Sequence, residues 1–307
     1  MSYLIGIDVG GTFIKGMILK DKEPVCERQT PTETGEKLAD CVQNLVGELI
    51  ADSGADKSQV VGVGVCCPGV IDGDGAVVRA DNLKLKNYPL KALLEEKLSL
   101  PVKVCNDANA AALGEAVFGA GKDYSDSVLI TLGTGVGCGI VIGGKLFEGN
   151  KKAGAEIGHM VIERGGKCCS CGRSGCLEAY CSARALTEMT KEAMKADRTS
   201  KMWEKYTCDT ADGRTAFEYM DCDPSAKKVV NGYLNYLACG MANIANIFRP
   251  QAILIGGGVA AQGTRLTEPL QTLVDSEIFA ADYAPVKIKC ATLGNRAGSY
   301  GAIALFL

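Results

Sequence analysis

Ile5-Gly-Ile-Asp8-Val-Gly10-Gly11-Thr12-Phe-Ile-Lys15-Gly-Met-Ile-Leu19 and its partial repeat, Leu129-Ile-Thr-Leu132-Gly133-Thr134-Gly135-Val-Gly-Cys138-Gly-Ile-Val-Ile142, decide the fold. Each is an apolar run, a glycine turn and a second apolar run, the pattern of a strand, a tight turn and a strand. Two such units about 125 residues apart point to duplicated α/β lobes, each offering a glycine turn to a shared cleft. Outward from them, helical spacing covers 35–52, 90–98, 108–118, 182–196 and 224–248, and a last helix starts at Ala297. Strand-like runs cover 60–66, 76–79, 102–105, 252–255 and 286–291, with a hairpin turn at Asp72-Gly-Asp-Gly75. The segment 195–220, with the single Trp203, is poorly patterned and reads as surface without assigned function.

The 307 residues include 33 Lys+Arg and 36 Asp+Glu, with 47% hydrophobic and 22% charged, which excludes disorder, collagen and coiled coil. A net charge of -3 without a long basic run argues against nucleic acid or an anionic membrane as partner, leaving a small molecule. No apolar stretch approaches about 18 residues and no basic segment precedes a hydrophobic block, so a cytoplasmic protein is expected. The fifteen cysteines are odd in number, and Cys66, Cys105, Cys138, Cys239 and Cys290 lie inside apolar runs, which suits a reducing compartment rather than a disulfide framework.

Glycine at the end of a strand lets backbone N–H groups approach an anion without a β-carbon in the way. Three turns offer this, at Gly10-Gly11, at 133–137 and at 256–258. Neither a Walker pattern nor a dinucleotide-binding glycine fingerprint is present. Thr12 and Thr134 add hydroxyls and Lys15 a positive charge near the expected phosphates, while Asp8 is placed to hold Mg2+ through water.

The only histidine, His159, is followed by Cys169, Cys171 and Cys176 within an 18-residue span. Three cysteines and one histidine in a polar, glycine-rich loop fit a closed tetrahedral Zn2+ site, structural because no coordination position stays open. The competing reading is a set of reduced structural thiols, which normally lie in apolar runs instead. Cys168 and Cys181 are bystanders. Zinc would fix the His159 tautomer and bring Glu178 close to Glu156 and His159.

Asp107, with Asn106 beside it, follows an apolar strand and opens a helix. It is either a helix cap or the carboxylate that orients a hydroxyl and takes its proton during phosphoryl transfer.

Several of these motifs together resemble the ROK family of sugar kinases and repressors. They are Asp8-Val-Gly-Gly-Thr12, Pro68-Gly69, Asn106-Asp107-Ala-Asn-Ala110, Leu132-Gly-Thr-Gly135, Glu156-Ile-Gly-His159, the Cys-x-Cys-Gly-x-x-Gly-Cys-x-Glu run, Ile255-Gly-Gly-Gly-Val259 and Leu293-Gly-Asn-Arg-Ala-Gly298. Within the family the likeness is to bacterial ATP-dependent glucokinases, as in Asp81-Asn82-Leu83. The resemblance implies an actin-like ATPase fold, with lobes at 1–118 plus the helix 297–307 and at 119–296, the zinc loop being 159–178. It implies Asp107 as base, sugar contacts from Gly69, Asn82, Asn106, Glu156, His159 and Glu178, and zinc ligands at His159, Cys169, Cys171 and Cys176. It further implies phosphate contacts from Gly10, Gly11, Thr12, Gly133, Thr134 and Gly135, and an adenosine near Gly257 and Gly258.

The expected activity is therefore ATP-dependent phosphorylation of a hexose, glucose at its 6-hydroxyl, by a homodimer. Lys84-Leu85 stand where such glucokinases carry Gly-Trp, which bears on the sugar pocket. N-acetylmannosamine, N-acetylglucosamine, allose and fructose are alternative substrates, because a single polar contact can change preference by orders of magnitude. A sugar-sensing regulator is the alternative of another class. Only seven residues precede Asp8, too few for a DNA-reading helix-turn-helix, so direct repression is not expected.

Overall fold

A computed structural model describes residues 2–307. The chain opens with β1 (Tyr3–Val9), β2 (Phe13–Lys20), β3 (Glu23–Pro31), α1 (Leu38–Ser53), β4 (Val60–Cys67), β5 (Val70–Ile71), β6 (Val77–Ala80) and β7 (Leu85–Tyr88). It continues through α2 (Leu90–Leu98), β8 (Val102–Asn106), α3 (Asp107–Phe118), β9 (Ser127–Leu132), β10 (Val136–Ile142) and β11 (Lys145–Leu146). The remainder is α4 (Glu178–Cys181), α5 (Ala183–Ala196), α6 (Thr215–Tyr219), α7 (Pro224–Phe248), β12 (Ala252–Gly256), α8 (Thr264–Glu277), β13 (Lys287–Cys290) and α9 (Ala297–Ala304).

The repeat seen in the sequence is a repeat of topology. One five-stranded sheet has the order β3-β2-β1-β4-β8 and the other β11-β10-β9-β12-β13, so each opening strand is flanked by its hairpin partner and by a later strand. β1 pairs antiparallel with β2 and parallel with β4, and β12 pairs parallel with β9 and β13. Ile5, Ile7 and Val9 of β1 and Val63 and Val65 of β4 are almost fully buried, in one core with Leu45 and Leu49 of α1. Those near-continuous apolar runs are what a parallel pairing covered on both faces requires.

Besides several short elements, β3 and α8 escaped the sequence pattern. β3 is an edge strand of mostly exposed, polar residues, so it lacks an apolar alternation. α8 carries Pro269 in its interior, which breaks the helical signal. The segment 195–220 is better packed than expected: Met202 and Phe217 are buried, and Trp203 Nε1 donates to the carbonyl of Met194 at 2.9 Å.

The chain divides into two compact units, one comprising the chain up to Ser125 with Gly139–Ala155 and Leu293–Leu307, the other Asp126–Cys138 and Glu156–Thr292. Residues 119–125, 139–155 and 293–296, expected in the second lobe, thus belong with the first. The reason is α3. Its buried Glu115 accepts the N–H of Ala120 at 2.8 Å and that of Leu293 at 2.7 Å, and Gly139 lies against Ala108 and Ala112.

α3 and α9 pack backbone to backbone. A β-carbon at Gly301 would stand 1.7 Å from the Ala110 carbonyl oxygen, closer than any atoms can approach without moving a helix. Gly301→Ala is expected to destabilise the protein by about 3 kcal/mol. An unchanged urea midpoint in that variant would contradict this close packing.

Candidate active site and metal centre

In the first unit, Asp8 stands near the end of β1, in register with Lys15 on β2 and Cys66 on β4. Cys66 Sγ donates to Asp8 Oδ1 at 3.3 Å. Gly298 of α9 also packs against this carboxylate. Desolvation pushes the Asp8 carboxyl above its ordinary value, opposed by the Cys66 thiol and the Lys15 charge.

The turn after β1 is closed by its own backbone. Gly10 N–H donates to the Phe13 carbonyl at 3.0 Å, Thr32 Oγ donates to the Gly10 carbonyl at 2.7 Å, and Thr32 N–H donates to the Thr12 carbonyl at 2.9 Å. Among the described residues no acceptor takes the N–H of Gly11 or Thr12, both of which are exposed. Gly10 therefore shapes the turn, while Gly11 and Thr12 keep donors that an anion can use. The Asn82 amide lies next to Gly11.

The cap of α3 resolves the ambiguity at Asn106-Asp107. Asn106 is the N-cap: its Oδ1 accepts the N–H groups of Ala108 at 2.9 Å and Asn109 at 3.2 Å, and its amide donates to the Gly69 carbonyl at 3.1 Å. Asp107 Oδ1 shares the Ala108 N–H with that cap, at 2.9 Å, and its carboxylate is also approached by the Asn106 side chain and its own backbone N–H. Its carboxylate is nonetheless exposed to solvent. Protein atoms crowded around it still desolvate the carboxyl enough to raise its pKa above the ordinary value.

The second unit holds the other glycine turns and the cysteine loop. Gly133 N–H closes its turn on the Gly135 carbonyl at 3.0 Å, and Glu178 Oε2 accepts the N–H of Val136 at 3.0 Å. Glu178 Oε1 accepts the Ser170 hydroxyl at 2.9 Å and lies 3.7 Å from Cys169 Sγ. One carboxylate therefore ties the cysteine loop to the glycine turn. Thr134 lies within that turn, and Gly257, with φ of 80°, packs against the Leu132 backbone beside it. Gly258 follows in open space. Glu156 is exposed, and its carbonyl accepts the His159 N–H at 3.1 Å.

The four expected ligand atoms, from His159, Cys169, Cys171 and Cys176, lie within 4.8 Å of one another. His159 Nδ1 is 3.7 Å from Cys169 Sγ, and Cys171 Sγ is 3.7 Å from Cys176 Sγ. Zn–S bonds of about 2.3 Å in a tetrahedron set sulfur atoms about 3.8 Å apart, so this donor set fits zinc. Backbone bonds from Cys169 N–H to the Arg173 carbonyl and from Leu177 N–H to the Met160 carbonyl, both 2.8 Å, fold the loop into this shape. Cys168 is exposed and Cys181 deeply buried, and neither joins the cluster.

Three contributors had no role that the sequence assigned. Cys66 reads as one more thiol in an apolar run, Gly298 as a helix residue and Ser170 as loop filler. Only the strand register and the loop path bring them to Asp8 and Glu178.

The ROK family model matches residues 4–307. The chain is similar to a glucokinase of Halalkalibacterium halodurans, 36% identical over 97% of this chain and 93% of that protein. It is also similar to a putative xylose repressor of a Caldicellulosiruptor species, 32% identical over 99% of this chain and 78% of that protein. Among solved structures, a ROK family glucokinase from Streptomyces griseus in complex with glucose and AMPPNP superposes with a TM-score of 0.81 at 33% identity, covering 99% of both chains. The mixed α/β architecture is thus the actin-like ATPase fold that the resemblance implied.

Proposed function

The chain belongs to the ROK family, and we propose that it is an ATP-dependent carbohydrate kinase whose substrate is glucose, phosphorylated at the 6-hydroxyl. The observation that carries this reading is the exposed Asp107 carboxylate at the start of α3, where Asn106 supplies the N-cap. In-line transfer needs such a group to orient the attacking hydroxyl. As the sugar oxygen bonds to the γ-phosphorus, the bond from that phosphorus to the departing ADP oxygen breaks and the hydroxyl proton passes to Asp107.

The remaining groups divide by charge. The Gly11 and Thr12 N–H groups, the Thr12 and Thr134 hydroxyls, Gly135 and the Lys15 ammonium face the phosphates, while Gly10 and Gly133 hold the turns that present them. Gly257 and Gly258 leave room for the adenosine. Asp8 would hold Mg2+ through water, and that ion supplies compensation for the charge that builds on the phosphate oxygens. Asn82, Asn106, Glu156, His159 and Glu178, with the backbone at Gly69, bind sugar hydroxyls. His159, Cys169, Cys171 and Cys176 would hold Zn2+, which supplies a cross-link that keeps His159 and Glu178 in place.

The test is ADP release from ATP and Mg2+ with glucose, mannose, fructose, allose, N-acetylglucosamine and N-acetylmannosamine, with Asp107→Ala as blank. Glucose is expected to give Asp107-dependent turnover with kcat/KM at least about tenfold above the others. Another preferred sugar would keep the kinase and replace the substrate. Sugar binding without turnover on any of them would favour the regulator reading that the repressor relative raises.

A further inference from the structure

We infer that Cys66 is a positioning residue for Asp8, its thiol fixing the carboxylate in the orientation from which it serves Mg2+-nucleotide. The inference rests on the assignment of Asp8 made above. Three observations meet at this carboxylate. The Cys66 side chain is fully buried and, among the described residues, donates to Asp8 Oδ1 alone, at 3.3 Å. The two residues are direct register partners on β1 and β4, so the contact is built into the sheet rather than into a mobile loop. Gly298 of α9 brings its backbone so close that an added β-carbon would lie 2.7 Å from Asp8 Cγ, 2.8 Å from Oδ2 and 3.0 Å from Oδ1.

Asp8 thus has a donor on one oxygen and a wall of helix backbone against its carbon. A carboxylate rotates freely about its last bond unless something breaks the symmetry between its oxygens. Here the thiol does so, since a neutral S–H next to a carboxylate can act only as the donor. The Lys15 ammonium contributes charge but is partly exposed at the end of a flexible stem, so it supplies field rather than orientation. Groups that orient metal-serving carboxylates are worth about 10- to 100-fold in affinity or activity when removed.

The experiment measures the Mg2+ concentration that half-saturates ATP binding, by calorimetry on the full chain, in wild type, Cys66→Ala, Cys66→Ser and Asp8→Asn. Cys66→Ala is expected to raise it about tenfold without changing sugar affinity. Cys66→Ser, which keeps a donor, is expected to restore most of the loss. A Mg2+ dependence that Asp8→Asn alters and Cys66→Ala does not would overturn the role of Cys66 and leave that of Asp8 standing. A dependence that Asp8→Asn also leaves unchanged would overturn the Asp8 assignment and the inference with it. A second readout does not require the Cys66→Ala chain to fold. The S–H stretching band of Cys66, identified in wild type by its loss in Cys66→Ser, should move to higher frequency in Asp8→Asn as the bond to a full carboxylate charge is lost. A band that stays in place would show that the thiol is not engaged by Asp8.

Discussion

Asp107→Asn is expected to lower kcat by about 10³-fold while leaving the sugar dissociation constant close to that of wild type. The amide keeps the size of the carboxylate and can still face a hydroxyl, but it cannot take the proton. Because Asn106 holds the N–H groups of both Ala108 and Asn109, and an amide at position 107 can still accept from Ala108, the substitution leaves the helix end intact. Stopped turnover with unchanged binding would therefore reflect chemistry rather than unfolding. Near-normal turnover in this variant would remove Asp107 from the role of base.

The pH dependence follows from the same carboxyl. Its pKa in the folded chain is raised above 3.8, chiefly by desolvation, and the base must be ionised to work. The acid limb of kcat/KM should therefore fall at a pH above the ordinary aspartate range. For stability the sign is opposite to that of a salt-bridged aspartate. The ionised form is disfavoured by folding, so its unfavourable contribution is present above the folded pKa and disappears as pH falls below the unfolded value. Asp107→Asn should melt no lower than wild type at neutral pH, and any advantage should vanish in acid. A variant that melts well below wild type at neutral pH would contradict this reading of the site.

Removal of zinc is the second large effect. Protein purified without added metal is expected to carry close to one zinc per chain, and Cys176→Ser to carry almost none. Structural zinc contributes about 10–16 kcal/mol in small zinc domains, as much as the whole stability of many folds, so the loop 159–178 should not keep its shape without it. Activity should fall along with the metal, because Glu178 is held between that loop and the Gly133 turn. Cys168→Ser is the control. Its thiol is exposed and outside the cluster, so zinc content should not change. Zinc-free wild-type protein with fold and activity intact would leave the four residues as reduced thiols.

Much of this was legible in the linear order of residues. The apolar run, glycine turn and apolar run at 3–20 and again at 127–142 specify hairpins because side chains alternate along a strand and glycine tolerates the turn. The helix Pro224–Phe248 announces itself at both levels: Asp223 caps it and Pro224 occupies its first turn. The zinc ligands were legible because all of them come from one short loop, where spacing nearly fixes geometry. β3 and α8 were not, since an exposed edge strand has no apolar code and an internal proline erases a helical one.

What the sequence by itself determined is thus the set of local choices: the repeated strand–turn–strand units, the helix starts, the cysteine loop and the candidate carboxylates. The tertiary structure alone decided which of two adjacent polar residues caps α3, which glycine N–H groups stay available, and which thiol serves Asp8 from 58 residues away. Local preferences act over a few residues and can be read from spacing. Hydrogen bonds between distant strands depend on register, which is fixed only when the core packs.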